Sequence, residues 1–418
     1  MKKKYRILLT EASFKTSLWV ARAIKKWSDK YEIIGIDTLL GGALLSRYVD
    51  FKKVVRIRES YIQEIIKIMR EQQIDIVFPH LESTYLSLYE ASPEVKIVAP
   101  PRDLALIVTN KLKVCELIKD MVKFPHTEVI QVNTQDDVKE CVDKLYEIAV
   151  NSNANSKYII KVIDEINKPF GPMGRYIIID SKCFDDRDFS SKLFDFIQKN
   201  KILLLQEYIQ GYGVGVGGLW KNGKPLLVGG HRRLIESHRT GGISIMAESY
   251  IHDQAIEISN RIMSMLNYTG IGMVEFKISE KDGTPYFMEI NPRLWGTIPL
   301  YIYSGLNIPL AACEMFLEDV SKVDYHFTVG KRMFFMRDFL ISLYPPSSNS
   351  IYLLNSLAKN IKVILSAKEG VYLKEDFSPF LYDMLSIFVY YLKRTLKSIF
   401  KRIKKLLTSY EKRMKKET

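Results

Sequence analysis

The sequence has little cysteine and no long apolar run. Its four cysteines lie far apart in 418 residues and form no CxxC pair, which argues against a zinc ribbon or a disulfide framework and favours a reducing compartment. The apolar run near the N-terminus covers only residues 7–9, which is too short for a signal peptide. No run reaches the roughly 18 apolar residues that a spanning helix needs. We therefore expect a cytoplasmic protein without a membrane-spanning helix.

The signatures of several enzyme classes are also missing. The first apolar run is followed by Thr-Glu-Ala-Ser and not by GxGxxG, so a dinucleotide-binding fingerprint is absent. Five of the six histidines show no metal-ligand pairing, and no Ser-His-Asp or Cys-His arrangement stands out. We therefore expect chemistry that needs no nucleophilic side chain.

The net charge of +13 is concentrated near the C-terminus. Residues 391–418 carry eleven Lys or Arg against two Glu, a net charge of +9, so the rest of the chain is close to balanced. Aromatic residues that could stack on bases are not interleaved with these charges. We therefore expect no nucleic-acid partner, and the basic end needs another explanation.

Strand and helix signals divide the chain into three parts of a mixed α/β and α+β fold. Residues 1–105 alternate strands and helices, which predicts a parallel sheet with helical crossovers. Residues 106–325 contain several strand pairs, and residues 326–418 are predicted to be helical, including 331–343 with exposed aromatic residues. Asp37 and Glu82 follow strands of the first part, where such sheets place ligand contacts, although both residues could equally cap helices or lie in solvated loops.

The segment 272–296 carries the strongest chemical signal. Glu275 lies on one strand, and Glu289 and Asn291 share a face of the next strand. Two carboxylates and an amide form an oxygen-only site that suits Mg²⁺. Arg293 follows at a spacing that would let it reach a phosphate carried by the metal. The alternative, a solvated hairpin with surface acids, fits the apolar surroundings less well.

Two further segments predict phosphate and purine contacts. Lys161 lies inside the apolar strand KYIIKVI, where a lysine is costly without an anion. The glycine-rich loop 167–175, which contains Gly171 and Gly174, could fold its N–H groups over phosphates. Gln206 and Glu207 end another apolar strand, whose backbone edge could pair with a purine.

Together these residues resemble the ATP-grasp superfamily, in particular the carboxylate–amine ligases related to carbamoyl-phosphate synthetase and biotin carboxylase. The resemblance covers roughly residues 1–320. It implies a Rossmann-like pre-ATP-grasp domain at 1–105, a two-lobed ATP-grasp domain at 106–325 and a helical C-terminal region. It assigns ATP contacts and a Mg²⁺ site, which Mn²⁺ could also fill, to the following residues: Lys111, Lys161, Gln206, Glu207, Tyr208 and Ile209 for ATP, and Glu275, Glu289 and Asn291 for the metal.

One departure from the family pattern concerns the ribose. Many members carry a ribose-binding Glu in a GxE pattern after the hinge, whereas this chain has Gly211-Tyr212-Gly213. A main-chain contact or Tyr212 is expected to replace that carboxylate.

The function that this resemblance implies is ATP-dependent activation of a carboxylate as an acylphosphate, followed by attack of an amine. Lys161, Arg293, His231 and Arg232 are the candidate catalytic residues. The last two belong to a basic stretch at 231–242, whose alternative explanation is a solvated face. Two rival functions stay open: a bicarbonate-activating carboxylase or carbamoyl-phosphate-type enzyme, and a nucleotide-binding scaffold without turnover.

The basic end contains an amphipathic helix, predicted over 384–408. Apolar residues recur at helical spacing and the basic residues occupy the other face. Such a helix is typical of attachment to an anionic membrane surface, and it makes a lipid-linked carboxylate as plausible a substrate as a small one. The alternatives are a helix docked on its own domain or on a second copy in a homodimer.

Overall fold

The structure is a computed structural model, and it describes most of the chain. The described residues are 4–56, 58–92, 95–151, 157–163, 176–186, 188–238, 241–343 and 348–417. The side chains of residues 58, 348, 398, 399 and 401–417 lie outside this description. None of the helices in the described ranges combines the length and apolar content that crossing a bilayer requires.

The first domain is a five-stranded parallel sheet of order β3-β2-β1-β4-β5. Strand β1 is buried on both faces, as expected for a parallel sheet covered by crossover helices. The sequence did not predict β3, because this edge strand (FKKV) is mostly exposed and carries two lysines. The elements are β1 (Tyr5–Leu9), α1 (Lys15–Lys25), β2 (Tyr31–Asp37), β3 (Phe51–Val54), α2 (Tyr61–Glu71), β4 (Ile76–Phe78), α3 (Glu82–Ala91), β5 (Lys96–Ile97) and α4 (Arg102–Val108).

A smaller lobe follows, with an antiparallel sheet of order β6-β9-β7-β8. Two helices cover one face of this sheet, where Ile160 and Val162 are buried. Because side chains alternate along a strand, Lys161 lies on the opposite face. The elements are α5 (Lys111–Ile118), β6 (Thr127–Gln131), α6 (Gln135–Asn151), β7 (Tyr158–Val162), β8 (Tyr176–Ile179), α7 (Phe189–Asn200) and β9 (Ile202–Glu207).

The larger lobe is built on a seven-stranded sheet of order β14-β13-β10-β11-β12-β15-β16. The sheet contains two hairpins, with turns near residues 222 and 283, and Asn222 and Gly223 have the positive φ angles of a tight hairpin turn. Strand β12 was not predicted. The elements are β10 (Gly211–Lys221), β11 (Lys224–His238), β12 (Gly241–Ser249), α8 (Asp253–Met265), β13 (Gly270–Ser279), β14 (Pro285–Asn291), α9 (Ile298–Tyr303), α10 (Ile308–Glu318), β15 (Arg332–Phe334) and, later in the chain, β16 (Lys368–Glu369).

The C-terminal region adds four helices and completes this sheet. They are α11 (Met336–Ser342), α12 (Ser348–Lys359), α13 (Ile361–Leu365) and α14 (Ser378–Glu417). The prediction of a helix over 331–343 was wrong at its start, because β15 pairs with β12 there. The aromatic side chains of this segment are also buried and not exposed, since Phe334, Phe335 and Phe339 pack into the molecule. The sheet therefore continues past residue 325.

Candidate functional site

One face of β10 has almost no side chains. Its sequence, GYGVGVGGLWK, puts glycines at alternate positions, so Gly213, Gly215 and Gly217 share a face. A Cβ atom on Gly215 would lie 2.3 Å from His231 Cε1, and one on Gly217 would lie 2.2 Å from the Trp295 ring. Neighbouring side chains therefore lie directly across the strand. The opposite face packs against α8 through valines.

The three residues predicted to bind a metal lie together beside this strand. Glu275 on β13 is directly opposite Glu289 on β14. Lys111 Nζ is 2.9 Å from Glu289 Oε2. The amide of Asn291 donates to Glu289 Oε1 at 3.1 Å. Lys111 is placed by the start of α5, whose first N–H groups are capped by Asn110.

Glu275 has a partner that the sequence analysis did not assign to the site. Arg233 on β11 reaches across Gly213, where an added Cβ would lie 3.0 Å from its Cδ. Its Nη2 is 2.6 Å from Glu275 Oε1, and its Nη1 lies 3.1 Å from Glu236 Oε1. The glycine on β10 thus allows an ion pair between two strands that are not neighbours in the sheet.

The electrostatic surroundings push the pKa values of the two carboxyls apart. Burial raises the pKa of Glu275, and the nearby Glu289 adds to this, while Arg233 opposes it. Burial would also raise the pKa of Glu289, but Lys111, Asn291 and Lys161 outweigh it and hold that pKa well below its ordinary value. Glu289 is therefore the carboxylate that stays ionised most firmly.

Arg293 links this cluster to the first domain. Its Nη2 donates to Asn291 Oδ1 at 3.1 Å, and its Nε donates to Glu82 Oε1 at 2.6 Å. Glu82 opens α3, so it follows β4 at the carboxyl edge of the parallel sheet. Burial would lower the pKa of Arg293, but Glu82 outweighs it and raises that pKa. Of the two candidate ligand contacts of the first domain, Glu82 reaches the cluster, whereas Asp37 accepts from the backbone N–H of Ser13 and Thr38.

Lys161 approaches the cluster from the smaller lobe. Its Nζ lies 3.9 Å from the Met288 sulfur on β14, and its charge acts on Glu289. The smaller lobe, the larger lobe and the first domain therefore each bring a charged side chain to one place.

The structure separates the two basic residues predicted at 231 and 232. Arg232 points to the opposite face of the sheet, where its Nε donates to the buried Glu248 at 2.7 Å and its guanidinium lies over Tyr250. Its assignment to the site therefore needs correction in favour of Arg233. The sequence could have predicted this, because side chains alternate along a strand and residues 231 and 233 therefore share a face that residue 232 does not.

His231 faces the cluster but is enclosed. It is 1% exposed, and its ring nitrogens lie 2.9 Å from the Tyr301 hydroxyl and 3.3 Å from the Thr297 hydroxyl. Burial lowers the pKa of His231 to about 3, with Arg233 contributing. The ring is neutral near pH 7, and its contacts in this structure are to other side chains.

Comparison with known proteins agrees with this geometry. Residues 199–333 match the family "ATP-grasp in the biosynthetic pathway with Ter operon". The carbamoyl phosphate synthase large chain of Thermoanaerobacter sp. (strain X514) is 22% identical over 285 residues, which cover 62% of this chain and 26% of that one. The chain is therefore similar to ATP-grasp proteins, with the family match confined to residues 199–333.

Solved structures share the overall fold of this chain. Biotin carboxylase from Campylobacter jejuni superposes with a TM-score of 0.58 at 16% identity, covering 77% of this chain and 73% of that one. A second match is the biotin carboxylase domain dimer of 2-oxoglutarate carboxylase from Hydrogenobacter thermophilus, solved in complex with MgADP, ADP and bicarbonate. It superposes with a TM-score of 0.58 at 14% identity, covering 79% of this chain and 74% of that one. Since the chain spans about a quarter of the length of its curated relatives, these likenesses define its fold and not its substrates.

The segment predicted to be the hinge lies at the short link from β9 to β10. Gln206 is buried and donates to the Thr127 hydroxyl at 2.9 Å, while Glu207 at the end of β9 is exposed. The backbone N–H of Glu207 donates to the His126 carbonyl, and the backbone N–H of Tyr208 donates to the Lys157 carbonyl. Ile209 follows, partly buried. The predicted phosphate loop, with Gly171 and Gly174, lies outside the described residues.

The oxygen donors of the cluster around Glu275 and Glu289 suit a magnesium ion that is shared with phosphates. Within the described ranges, no group of three or more His, Cys, Asp or Glu side chains is arranged to hold a metal. Glu275 and Glu289 supply two carboxylates and Asn291 supplies an amide, which is fewer ligands than a closed cage requires. Mg²⁺ is commonly bound by one or two carboxylates together with substrate phosphates, so the residues fit.

Proposed function

We propose that this protein is an ATP-dependent ligase that activates a carboxylate and joins it to an amine. The observation that carries the proposal is the convergence of Lys111, Lys161, Arg233 and Arg293 on Glu275 and Glu289. Phosphoryl transfer depends chiefly on positioning and on neutralising charge. A site built from fixed cations and two carboxylates has the character that such a reaction needs.

The proposed reaction has two steps. A carboxylate oxygen of the substrate attacks the γ-phosphorus of ATP, the bond to the bridging oxygen breaks, and ADP leaves with the bonding electrons. The amine nitrogen then attacks the carbonyl carbon of the acylphosphate, inorganic phosphate leaves, and the nitrogen loses a proton to solvent. Lys111, Lys161 and Arg293 hold the phosphates, and closure of the two lobes excludes water from the acylphosphate.

Glu275, Glu289 and Asn291 are the residues that would hold Mg²⁺, or Mn²⁺ in its place. The metal would supply additional positive charge at the β- and γ-phosphates. Lys111 and Arg233 already pair with the same two carboxylates, so they compensate the charge of this partly buried acidic pair.

The proposal is tested by Mg²⁺-dependent ADP release against a panel of carboxylates and amines, with Glu289→Gln as the inactive variant. Release that needs both a carboxylate and an amine supports the ligase. ATP binding without turnover for any pair, including lipid-linked acceptors, favours the scaffold alternative.

Bicarbonate activation is the second candidate function. The Hydrogenobacter thermophilus relative was solved with bicarbonate and MgADP, which is the observation in its favour. The same assay separates the two, because bicarbonate alone would then stimulate ADP release while organic acids would not.

We also propose that α14 attaches the protein to an anionic membrane surface on the cytoplasmic side. Its first half packs on α11 through one face: Ile387 is buried, Asp383 lies 3.6 Å from Arg337, and the Tyr391 hydroxyl donates to the Leu340 carbonyl. At about 100° per residue, a second face, roughly opposite, carries exposed apolar side chains: Leu381, Leu385, Phe388, Val389, Leu392, Leu396 and Phe400.

The charges around this apolar stripe favour a lipid surface over a second copy of the chain. Lys393 and Lys397 come after the half of α14 that packs on α11, and both are exposed. Residues 391–418 have a net charge of +9. Two such helices would repel each other, whereas an anionic leaflet attracts them. A lipid-linked carboxylate is the substrate that this placement suits.

Liposome sedimentation tests the attachment. Wild-type protein should pellet with vesicles containing phosphatidylglycerol and not with pure phosphatidylcholine, and the double variant Leu385→Asp/Phe388→Asp should stay in solution. Leu117→Asp, at an exposed leucine of α5, is the matched control. Binding that survives the double variant or deletion of 381–418 would contradict the proposal, and a dimer lost in the double variant would identify the stripe as the interface of a homodimer instead.

A further inference from the structure

Arg293 in the larger lobe has an ion-pair partner in another domain. Its Nε donates to Glu82 Oε1 at 2.6 Å, while its Nη2 donates to Asn291 Oδ1 at 3.1 Å. The Asn291 amide in turn donates to Glu289 Oε1. Because a guanidinium is planar and rigid, partners at two of its nitrogens fix its plane. Glu82 therefore lies at one end of a chain of hydrogen bonds whose other end is Glu289.

The segment that carries Glu82 is held by a buried carboxylate, Glu11. This residue follows β1 and is 4% exposed. Its Oε2 accepts from the backbone N–H of His80 at 3.1 Å, and its Oε1 accepts from the Thr84 hydroxyl at 2.6 Å. These two partners lie two positions before and two positions after Glu82. Glu11 therefore fixes the chain on both sides of Glu82.

The backbone of Glu11 has a conformation that residues with a side chain rarely adopt. Its φ angle is +45°, in the left-handed region. Its N–H donates to the Tyr61 hydroxyl at 2.8 Å, and its carbonyl accepts from the Ser17 hydroxyl at 2.8 Å. Strain of this kind persists only where the surrounding contacts hold it, and it is concentrated at functional sites. The strained residue here is the one that holds the segment presenting Glu82 to Arg293.

The pairing matters because both side chains are largely enclosed. Burial lowers the pKa of Arg293, and Glu82 is the strongest of the groups that raise it, followed by Glu289. Without the charge of Glu82, Glu289 becomes the carboxylate that attracts the guanidinium most strongly. Arg293 would then move toward the acidic pair and be neutralised there, which makes it less available to a phosphate.

We propose that Glu82 is a positioning residue for Arg293: it holds the guanidinium where a phosphate can reach it, and Glu11 in turn holds Glu82. The proposal rests on the function proposed above, since it assumes that Arg293 contacts the phosphates of ATP. The sequence placed Glu82 among the candidate ligand contacts, whereas this role is exerted through another side chain. The first domain thereby shapes the site without having to touch the nucleotide.

Nucleotide binding to the full-length protein with Mg²⁺ tests this role through a double-mutant cycle. Glu82→Gln keeps the shape of the side chain and should weaken the binding of ATP about tenfold, a typical coupling between contacting residues. The binding of adenosine, which has no phosphate, should stay unchanged. In an Arg293→Ala background, Glu82→Gln should not weaken ATP binding further, because its effect passes through Arg293. If Glu82→Gln does not fold, Glu82→Asp, with its charge on a shorter side chain, should show the same pattern.

Helix α3 itself offers matched controls. Glu90→Gln removes an exposed carboxylate that pairs with Arg102 and should bind ATP as the wild-type protein does. Thr84→Val removes the hydroxyl that donates to Glu11 and should weaken ATP binding about threefold, since it acts one step further away. Ser87→Ala, which removes a hydroxyl bonded within α3, should have no effect.

The outcomes separate this proposal from the proposed function. A loss on Glu82→Gln that is equally large with and without Arg293 would overturn the positioning role, because Glu82 would then act independently. Unchanged ATP binding in Glu82→Gln, or an equal loss for adenosine, would overturn it as well. All three results leave the ligase proposal intact. Absence of any ATP binding to the wild-type protein would instead reject the proposed function and this role with it.

Discussion

At the scale of single residues, Arg232 and Arg233 show how one position along a strand decides a role. Arg233 is 16% exposed and is paired with Glu275, Glu236 and the Gly242 carbonyl. Arg232 is 40% exposed and shares Glu248 with Arg332. Composition and spacing identified a basic stretch, but only strand alternation separates its two faces.

We expect Arg233→Ala to be far more disruptive than Arg232→Ala. Removing Arg233 leaves Glu275, whose side chain is 15% exposed, without its cation, and leaves Glu236 with Lys277 alone. We expect this to cost about 3–5 kcal/mol in unfolding free energy and to weaken ATP binding. Arg232→Ala should cost about 1 kcal/mol or less, because its partner keeps Arg332. Urea unfolding of both variants checks this, and equal losses would contradict the assignment of faces.

A second residue-scale prediction concerns the glycine face of β10. Gly215→Ala places a methyl group 2.3 Å from His231 Cε1, so the strand or the ring must shift at a cost of about 1–3 kcal/mol. Gly296→Ala meets nothing within 4 Å and serves as the control. Thermal unfolding compares the two, and a Gly215→Ala variant as stable as the control would show that the face is not closely packed.

At the scale of elements, the predictable parts are those with a local pattern. The strands of the first domain and the hairpin turns at Asn222 and Gly283 follow from apolar runs and turn residues. The edge strand β3 and strand β15 escaped prediction because their pairing partners, not their own sequences, make them strands. The contacts of Arg233 and Glu236 could not be predicted for the same reason, because they depend on the order of strands β13, β10 and β11 in the sheet.

The docking of α14 should depend on pH through Asp383. Burial is the main cause that raises the pKa of Asp383 to about 6 from 3.8, since the carboxyl packs against α11 beside Arg337 and near Asp338 and Glu369. A raised pKa means that the folded state prefers the protonated form. The contribution of protonated Asp383 to the free energy of unfolding is fully present below pH 3.8 and is lost as the pH rises through about 6.

Asp383→Asn imitates the protonated form at every pH. Its gain in unfolding free energy over wild-type protein should rise from near zero at pH 4 to about 3 kcal/mol above pH 6.5. Urea unfolding at both pH values measures the difference. A gain that is the same at pH 4 and pH 7 would mean that Asp383 is already ionised when α14 is docked.

At the scale of the whole molecule, the segment just before α14 packs against the first domain. Arg22 in α1 and Asp376 are 1% and 3% exposed and lie 2.8 Å apart, and Ser46 and the Arg47 N–H also donate to Asp376. The first domain is therefore joined both to the segment before α14 and, through Glu82 and Arg293, to the site. Local sequence patterns do not predict contacts between residues about 350 positions apart.

Breaking this buried pair should loosen the C-terminal region as a unit. Asp376→Ala leaves Arg22 buried without its anion, at a cost of about 3–5 kcal/mol, and should speed proteolysis between 366 and 392. Glu375→Ala, which removes an exposed ion pair to Lys26, is the matched control. Unchanged proteolysis in Asp376→Ala would show that other contacts hold the segment.

The effect of Glu289→Gln on Mg²⁺-dependent ADP release tests most directly whether the cluster around Glu289 is the catalytic centre. In wild-type protein, release should require a carboxylate and an amine together, and the substitution should reduce it at least about 100-fold while the protein remains folded, because it removes the carboxylate that Lys111 and Lys161 keep ionised. Glu280→Gln, outside the cleft, should retain full activity. Release that persists unchanged in Glu289→Gln would contradict the claim that this cluster is the catalytic centre.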